Sequence, residues 1–483
     1  MRGPRVACGV LSIPRMADDL TLLTIAEAAG RIQRREVSPV ELTEAYVARI
    51  ERLNPSINAY VTVTAERARA EAAAAEQAVA SGSYRGPLHG IPIGLKDLYD
   101  TAGIETAGGS KVLKGRVPEK DSTAARKLSE AGAVLLGKTN THEFAWGTTT
   151  NNPHTGATHN PWNLERIPGG SSGGSGAAIA ARMAAGTLGT DTGGSIRIPA
   201  ALCGCVGLKP TWGRASKAGV LPMSWQFDHP GPIVKSVEDA AIVLQAMAGY
   251  DADDFATAPV PVPDYREGLD HGIKGLRIGV PREQFFGLLD GEVRVAIEGV
   301  IEALRGLGAE IVDEFAPGFT REQTNQAWAV CLAESRAYHA PWLESQRDDY
   351  SAELLGVLAL PLPDATGLAD AYRAVYDVRE GMRRAFERVD LMVTPGTMRP
   401  ASVIGEEEVE VDGVKVSTGT AFAGMTLPFN IGGVPAITLP CGLSSEGLPM
   451  SVQLAAGPWN EAGVLRAAFA LEGALGRLPI VDC

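Results

Sequence analysis

In the first eighty positions apolar residues recur at three- and four-residue spacing, and start signals for helices stand in front of the blocks. Thr24 and Glu27 form a T-x-x-E capping box. Ser38-Pro39-Val40-Glu41 forms another, with proline at the first helical position. The helix that Ser38 opens is predicted to end near Leu53, because Asn54-Pro55 disfavours helical backbone before the proline. An alanine- and glutamate-rich helix is predicted over about 64–80, closed by Ser81-Gly82. LHGIPIGLKD then reads as a short strand running into a loop.

Further on the period alternates between helix and strand. A helix around 122–131 stops at Gly132 and is followed by the apolar strand AVLLG. GLRIGVP, a helix capped by Asp290 and running to about Leu304, and AEIVDE repeat the strand–helix–strand order. This grammar predicts an α/β fold: a large mixed, mostly parallel twisted sheet with helices on both faces. VPAITLP and LPMSVQLAAG, joined by SSEG, are predicted to form an antiparallel hairpin. Residues 250–272 are rich in proline and aspartate and are the best candidate linker.

The balance of 44 basic and 57 acidic side chains leaves −13, which repels nucleic acid and anionic membranes. No run approaches the roughly 18 apolar residues of a membrane span. The chain is therefore expected to be cytoplasmic, without nucleic-acid or membrane partners. MRGPRVACGVLSIPRM resembles a signal peptide only superficially, since Gly9 and Pro14 break the apolar patch and no A-x-A site follows. Residues 1–18 are expected to be a flexible leader. The six cysteines do not space as a disulfide framework, and Cys203-x-Cys205 lacks a second pair for zinc. No metal or cofactor is expected.

Chemistry concentrates in PGGSSGGSGAAIAARMAAGTLGTDTGGSIRIP, residues 168–199, where glycine surrounds serine far beyond any packing need. Two nearby matches mislead. GAVLLGKT fits the phosphate-loop pattern by letter, but its middle residues are themselves the strand, so their amides are committed to a sheet. GGSSG and GSSGG fit the G-x-S-x-G elbow, which needs an acid and then a histidine downstream. His229 and His339 satisfy that order alone, in no triad-like context.

A serine becomes a nucleophile only when a base takes its proton. Lysine can be that base when burial lowers its pKa from about 10.4, and Lys96 follows the apolar string IPIGL. Taken alone, Lys96 could equally be a lysine at the end of a strand with its amine in water.

GIPIGLKD, GKTNTHEFAWG, PGGSSGGSGAA, GTDTGGSIRIPA and GLKPTWGR together resemble the amidase signature family of Ser-cisSer-Lys hydrolases. The likeness is densest over about 86–232 and continues more weakly through DLMVTPG and LPFNIGGVPAITLPCG. It implies a catalytic domain over 19–483, with a divergent substrate-pocket half at about 250–430. It also implies Ser195 as the nucleophile, Ser171 as a bridging serine after a cis bond from Gly170, and Lys96 as the base. The amides of Thr192, Gly193, Gly194 and Ser195 would form the oxyanion hole. Ser172, Asp191 and Arg197 are read as support, and Asp97 likewise. Ser175 either bonds within the site or caps the following helix.

The implied reaction is cleavage of carboxylic amides, with anilides, esters and carbamates (urethanase activity) within reach of the same acyl-enzyme. Ala145, Trp146, Met223, Trp225 and Gln226 are substrate-pocket candidates, with Phe227 and Trp328 behind them. The alternative is the A subunit of a glutamyl- or aspartyl-tRNA amidotransferase, working in a complex. The stretches after Ala333-Glu334-Ser335-Arg336 and after Pro395 lack the pattern expected of such a component. A monomer or homodimer acting on a small-molecule amide, ester or carbamate is therefore the expectation.

Overall fold

The computed structural model describes residues 19–481. Residues 1–18, for which a flexible leader was the expectation, and Cys8 and Cys483 with them, lie outside the described residues. Eleven strands form one sheet. In chain order they are β1 (Tyr60–Val63), β2 (Pro92–Lys96), β3 (Val134–Thr139), β4 (Gly186–Asp191), β5 (Val206–Lys209) and β6 (His229–Val234), then β7 (Arg277–Gly279), β8 (Glu310–Val312), β9 (Leu391–Pro395), β10 (Ala436–Leu443) and β11 (Pro449–Ala456). Across the sheet the order is β1-β3-β2-β4-β6-β5-β10-β11-β9-β7-β8.

The α/β class and the mixed, helix-covered sheet are as expected, but parallel pairing is the smaller share. Four neighbouring pairs are parallel and six antiparallel. The parallel pairs sit toward the two ends, where helices cross between strands. The middle is antiparallel because β10 and β11 are the anticipated hairpin, paired Ala436 to Ala455 through Leu443 to Pro449, and because β6 inserts antiparallel between β4 and β5.

Local signals act as read. Both N-terminal capping boxes are formed, and the Asp290 side chain accepts from the amides of Glu292 and Val293. The helix from Ser38 does not stop at Leu53: it spans Pro39–Ile57 with Pro55 inside it. The proline removes one donor in the last turn only, and Asn58, in the left-handed region at φ 55°, ends the helix instead. The phosphate-loop look-alike is indeed strand β3, buried throughout. Its Lys138 donates to Tyr99 O and Thr106 Oγ1 at 2.7 and 2.6 Å, so it is a core cation. Residues 250–272 carry no helix or strand, yet they lie against the body, with Tyr265 and Leu269 buried.

Strand order positions the chemistry. β2 and β4 are parallel neighbours, with Ile93 facing Gly186 and Leu95 facing Leu188. Parallel neighbours end on the same edge of a sheet, so the loops that follow them meet there. Lys96 ends β2 and Asp191 ends β4. The first glycine turn reaches the same edge through the helix Gly173–Ala180. At Gly174 an added Cβ would stand 2.5 Å from Ala59 O and from the Asn140 amide nitrogen, so only glycine allows this close backbone approach.

Candidate active site

Lys96 is wholly buried, and its Nζ donates to Ser171 Oγ at 2.7 Å and to Thr190 Oγ1 at 2.8 Å. Burial drives its pKa down to about 7, against the pull of Asp228 and Asp191. Near neutrality a sizeable fraction of this amine is therefore unprotonated and able to accept. The Gly170–Ser171 peptide bond is cis. Ser172, at the start of the next helix, is tied to β4 rather than to its own helix: its Oγ donates to Thr190 O at 3.2 Å and accepts from Thr190 N. Ser175 lies inside that helix, bonded to Thr139 Oγ1 at 2.7 Å and to Leu188 O, and caps nothing.

The second glycine turn is shaped by Asp191. Its Oδ2 accepts from the amides of Ile196 and Arg197 at 3.1 and 3.3 Å. The amides of Gly193, Gly194 and Ser195 have no acceptor among the described residues. Gly193 and Ser195 line a cavity of about 600 Å³. Thr426 Oγ1 donates to Gly193 O at 2.6 Å, which fixes the orientation of the peptide unit carrying the Gly194 amide. Gly194 itself has φ +133°, and a Cβ there would fall 2.0 Å from Thr426 Oγ1. Thr192 lies beneath the turn, its hydroxyl on Asp228 Oδ1 at 2.6 Å.

Among the described residues the Ser195 hydroxyl has no hydrogen-bond partner. Ser171 thus touches the lysine, while the link from Ser171 to Ser195 is not made in this structure.

Asp191 and Arg197 are a fully buried bidentate pair at 3.0 and 2.8 Å. Burial alone would raise the Asp191 carboxyl, but the Arg197 charge and its hydrogen bonds hold it well below the usual range. Arg197 also donates to Thr426 O, Gln453 Oε1 and Asn430 Oδ1 at 3.0, 2.6 and 2.6 Å. Every guanidinium nitrogen is engaged with protein, which is the geometry of a scaffold. Asp97 also has a framework partner, with Lys138 3.5 Å away and the amides of Ala107 and Gly109 on its Oδ2.

Of the substrate-pocket candidates, Ala145, Trp146 and Met223 line the cavity, as does Trp328. Trp225 and Gln226 do not: Trp225 faces solvent at 37 % exposure, and the Gln226 amide is held by Glu334 at 3.2 Å. The loop turns at Ser224, whose Oγ donates to Glu334 at 2.5 Å, and neither of the next two residues lines the cavity. The apolar wall is aromatic. Trp328 stacks on Phe227, with centroids 6.4 Å apart and planes at 9°, and meets Trp146 edge-on at 5.9 Å. His229 gives its Nδ1 to backbone carbonyls and His339 its Nδ1 to Tyr350, so neither meets a glycine-turn serine.

Thr190, Asp228, Thr426, Asn430 and Gln453 were not singled out from sequence. Thr190 sits within GTDTGG and Asn430 within LPFN, so a signal existed for both. Asp228 is one residue beyond the loop of pocket candidates. Among the described residues no group of three His, Cys, Asp or Glu side chains is placed to hold a metal ion.

The Amidase family model matches residues 41–465. The chain belongs to the amidase signature family. The A subunit of glutamyl-tRNA(Gln) amidotransferase from Geobacter metallireducens is 43% identical over 477 residues, covering 94% of this chain and 97% of that protein. A bacterial aryl acylamidase of the amidase signature family superposes with a TM-score of 0.85 at 28% identity, over 94% of this chain and 96% of its own. A structure from a vestigial protein complex, described as revealing the origins of an s-triazine catabolic enzyme, gives 0.88 at 34%, over 95% and 100%. The chain is therefore an amidase-signature enzyme of amide chemistry. These relatives overturn the expectation of a monomer or homodimer with no nucleic-acid dealings, since the first is named as one component of a tRNA amidotransferase. Net negative charge was a poor guide here, because it averages over the whole surface and carries no information about one interface. Among the described residues no helix is long and apolar enough to cross a membrane.

Proposed function

We propose that the chain cleaves carboxylic amides through an ester on Ser195, with Ser171 and Lys96 carrying the proton. Ser195 Oγ attacks the carbonyl carbon and its proton passes to Ser171, as the Ser171 proton moves to neutral Lys96 Nζ. The carbonyl oxygen, now negative, meets the free amides at Gly193 to Ser195, a type of contact worth about 3–4 kcal/mol per donor. Collapse breaks the C–N bond, and the proton returns through Ser171 to the departing nitrogen. Water then repeats the sequence and releases the acid. The observation that carries this reading is the buried Lys96 Nζ, 2.7 Å from Ser171 Oγ and free of any salt bridge among the described residues.

Two donors fit, each with its own support. The whole-length kinship at 43% identity favours glutamine as donor within an amidotransferase, with partner proteins and a tRNA receiving the ammonia. The aromatic wall of Trp146 and Trp328, with Phe227 stacked on Trp328 outside the cavity lining, favours amides, anilides or carbamates with an apolar group beside the reacting carbonyl. Glutamine, an aryl anilide and an N-aryl carbamate offered to the purified protein separate the two by ammonia or arylamine release. Ser195→Ala is expected to abolish whichever release occurs and to leave the circular dichroism spectrum intact. Unchanged turnover in that variant would rule out the acyl-enzyme.

A further inference from the structure

Asp228 is buried just past the cavity-wall loop, and both its oxygens are engaged. Oδ1 accepts from the Thr192 hydroxyl at 2.6 Å, and Oδ2 from the amides of Met223 and Ser224 at 2.9 and 3.1 Å. One carboxylate therefore ties the turn that presents Ser195 to the loop that places Met223 in the cavity. The same loop reaches the helix Arg321–Leu343 through Ser224 and Glu334, and that helix carries Trp328.

Thr190, next to last in β4, bonds Lys96 Nζ, and Thr192, the first residue past that strand, bonds Asp228. Asp228 is thereby tied two residues along the chain from the hydroxyl that holds the lysine.

We propose that Asp228 is a positioning residue for the Ser195 reaction: it clamps the turn carrying Ser195 to the loop of the cavity wall and brings a buried carboxylate to the turn that follows the lysine's partner Thr190. The proposal rests on Lys96 acting as the base. The charges facing the pair come from several elements. Asp191, neutralised by Arg197, is the other anion felt by Lys96. Asp228 itself is raised to about 6 by burial, which the Thr192, Ser224 and Met223 hydrogen bonds and the Lys217 charge oppose. Glu334 reaches it through Ser224, and the Cys331 thiol and Tyr99 phenol feel its charge.

The sign follows directly. Hydrolysis needs neutral Lys96, so kcat/KM rises with pH through the lysine pKa. Removing the Asp228 charge destabilises the ammonium form, and that acid limb moves to lower pH.

The test compares pH profiles of kcat/KM for the wild type, Asp228→Asn and Thr192→Val on the same amide. Asp228→Asn is expected to lower kcat at least tenfold and to move the acid limb down by about one pH unit. Thr192→Val keeps the charge and loses the clamp, so kcat falls while the limb stays in place. A limb unmoved in Asp228→Asn, with kcat merely reduced, would overturn the electrostatic role. Undiminished kcat in Thr192→Val would overturn the clamp, and it does so even if the Asp228 variant does not fold. If Lys96→Met retains turnover in the same assay, the base reading fails and the electrostatic half of the Asp228 role falls with it, whereas the clamp is decided by Thr192→Val alone.

Discussion

Replacing Lys96 with methionine tests the buried base through stability as well as rate. In the folded chain burial holds the lysine near 7 instead of its ordinary 10.5. That difference corresponds to about 4–5 kcal/mol against the charged form. A lysine with a depressed folded pKa costs stability fully below the folded value. The cost shrinks by about 1.4 kcal/mol per pH unit between 7 and 10.5, because across that window the unfolded chain binds the proton and the folded chain does not. Methionine removes the cost and approximates the volume. It also removes the donor that Ser171 Oγ and Thr190 Oγ1 now share, a loss of about 1 kcal/mol each. Near pH 6 the variant is therefore expected to be more stable by about 2–3 kcal/mol, or some 2–3 °C in Tm for a chain of this length. The advantage should vanish and then reverse toward pH 10. The assay is thermal unfolding at one scan rate from pH 6 to 10, with amide hydrolysis measured in parallel. A stability difference that does not change with pH would refute the buried-amine account, and surviving hydrolysis would refute the base.

Arg197→Met should destabilise by about 3–5 kcal/mol, because it leaves the Asp191 carboxylate buried without its partner; urea unfolding midpoints check this. Gly194→Ala should cut kcat by a hundredfold or more with a smaller change in KM. The new Cβ would collide with Thr426 Oγ1 and turn the peptide between Gly193 and Gly194, whose amide has no acceptor among the described residues, so steady-state kinetics of that variant should show the split.

Much of the local structure is legible in the sequence alone. Both capping boxes, the Asp290 cap and the SSEG hairpin are chemistry between residues a few positions apart, so each is complete within its own segment. The glycine turns were legible for the same reason, since a run such as DTGGS advertises uncovered amides. Pro55 shows the limit of such reading: the rule against a helical residue before proline is a preference, and burial of Ile57 outweighs it at a helix end.

By itself, then, the sequence determined the turns, the caps and the residue types able to run serine chemistry without histidine. Tertiary structure decided which of them meet. Lys96 touches Thr190 across 94 residues because β2 and β4 pair in parallel and end on one edge, and Ser171, 75 residues from the lysine, reaches the same amine from the turn ahead of the helix Gly173–Ala180. Arg197, read from sequence as support, finds two of its partners only in the assembled core, in Asn430 and Gln453, 233 and 256 residues away. Trp146 lines the cavity with its Nε1–H on Ser335 Oγ, 189 residues away, whereas Trp225 faces solvent beside the Ser224 turn that Glu334 holds. Strand partners and buried polar contacts are chosen by the free energy of the assembled core, in which each polar group needs a partner, and no window of a few residues contains that information.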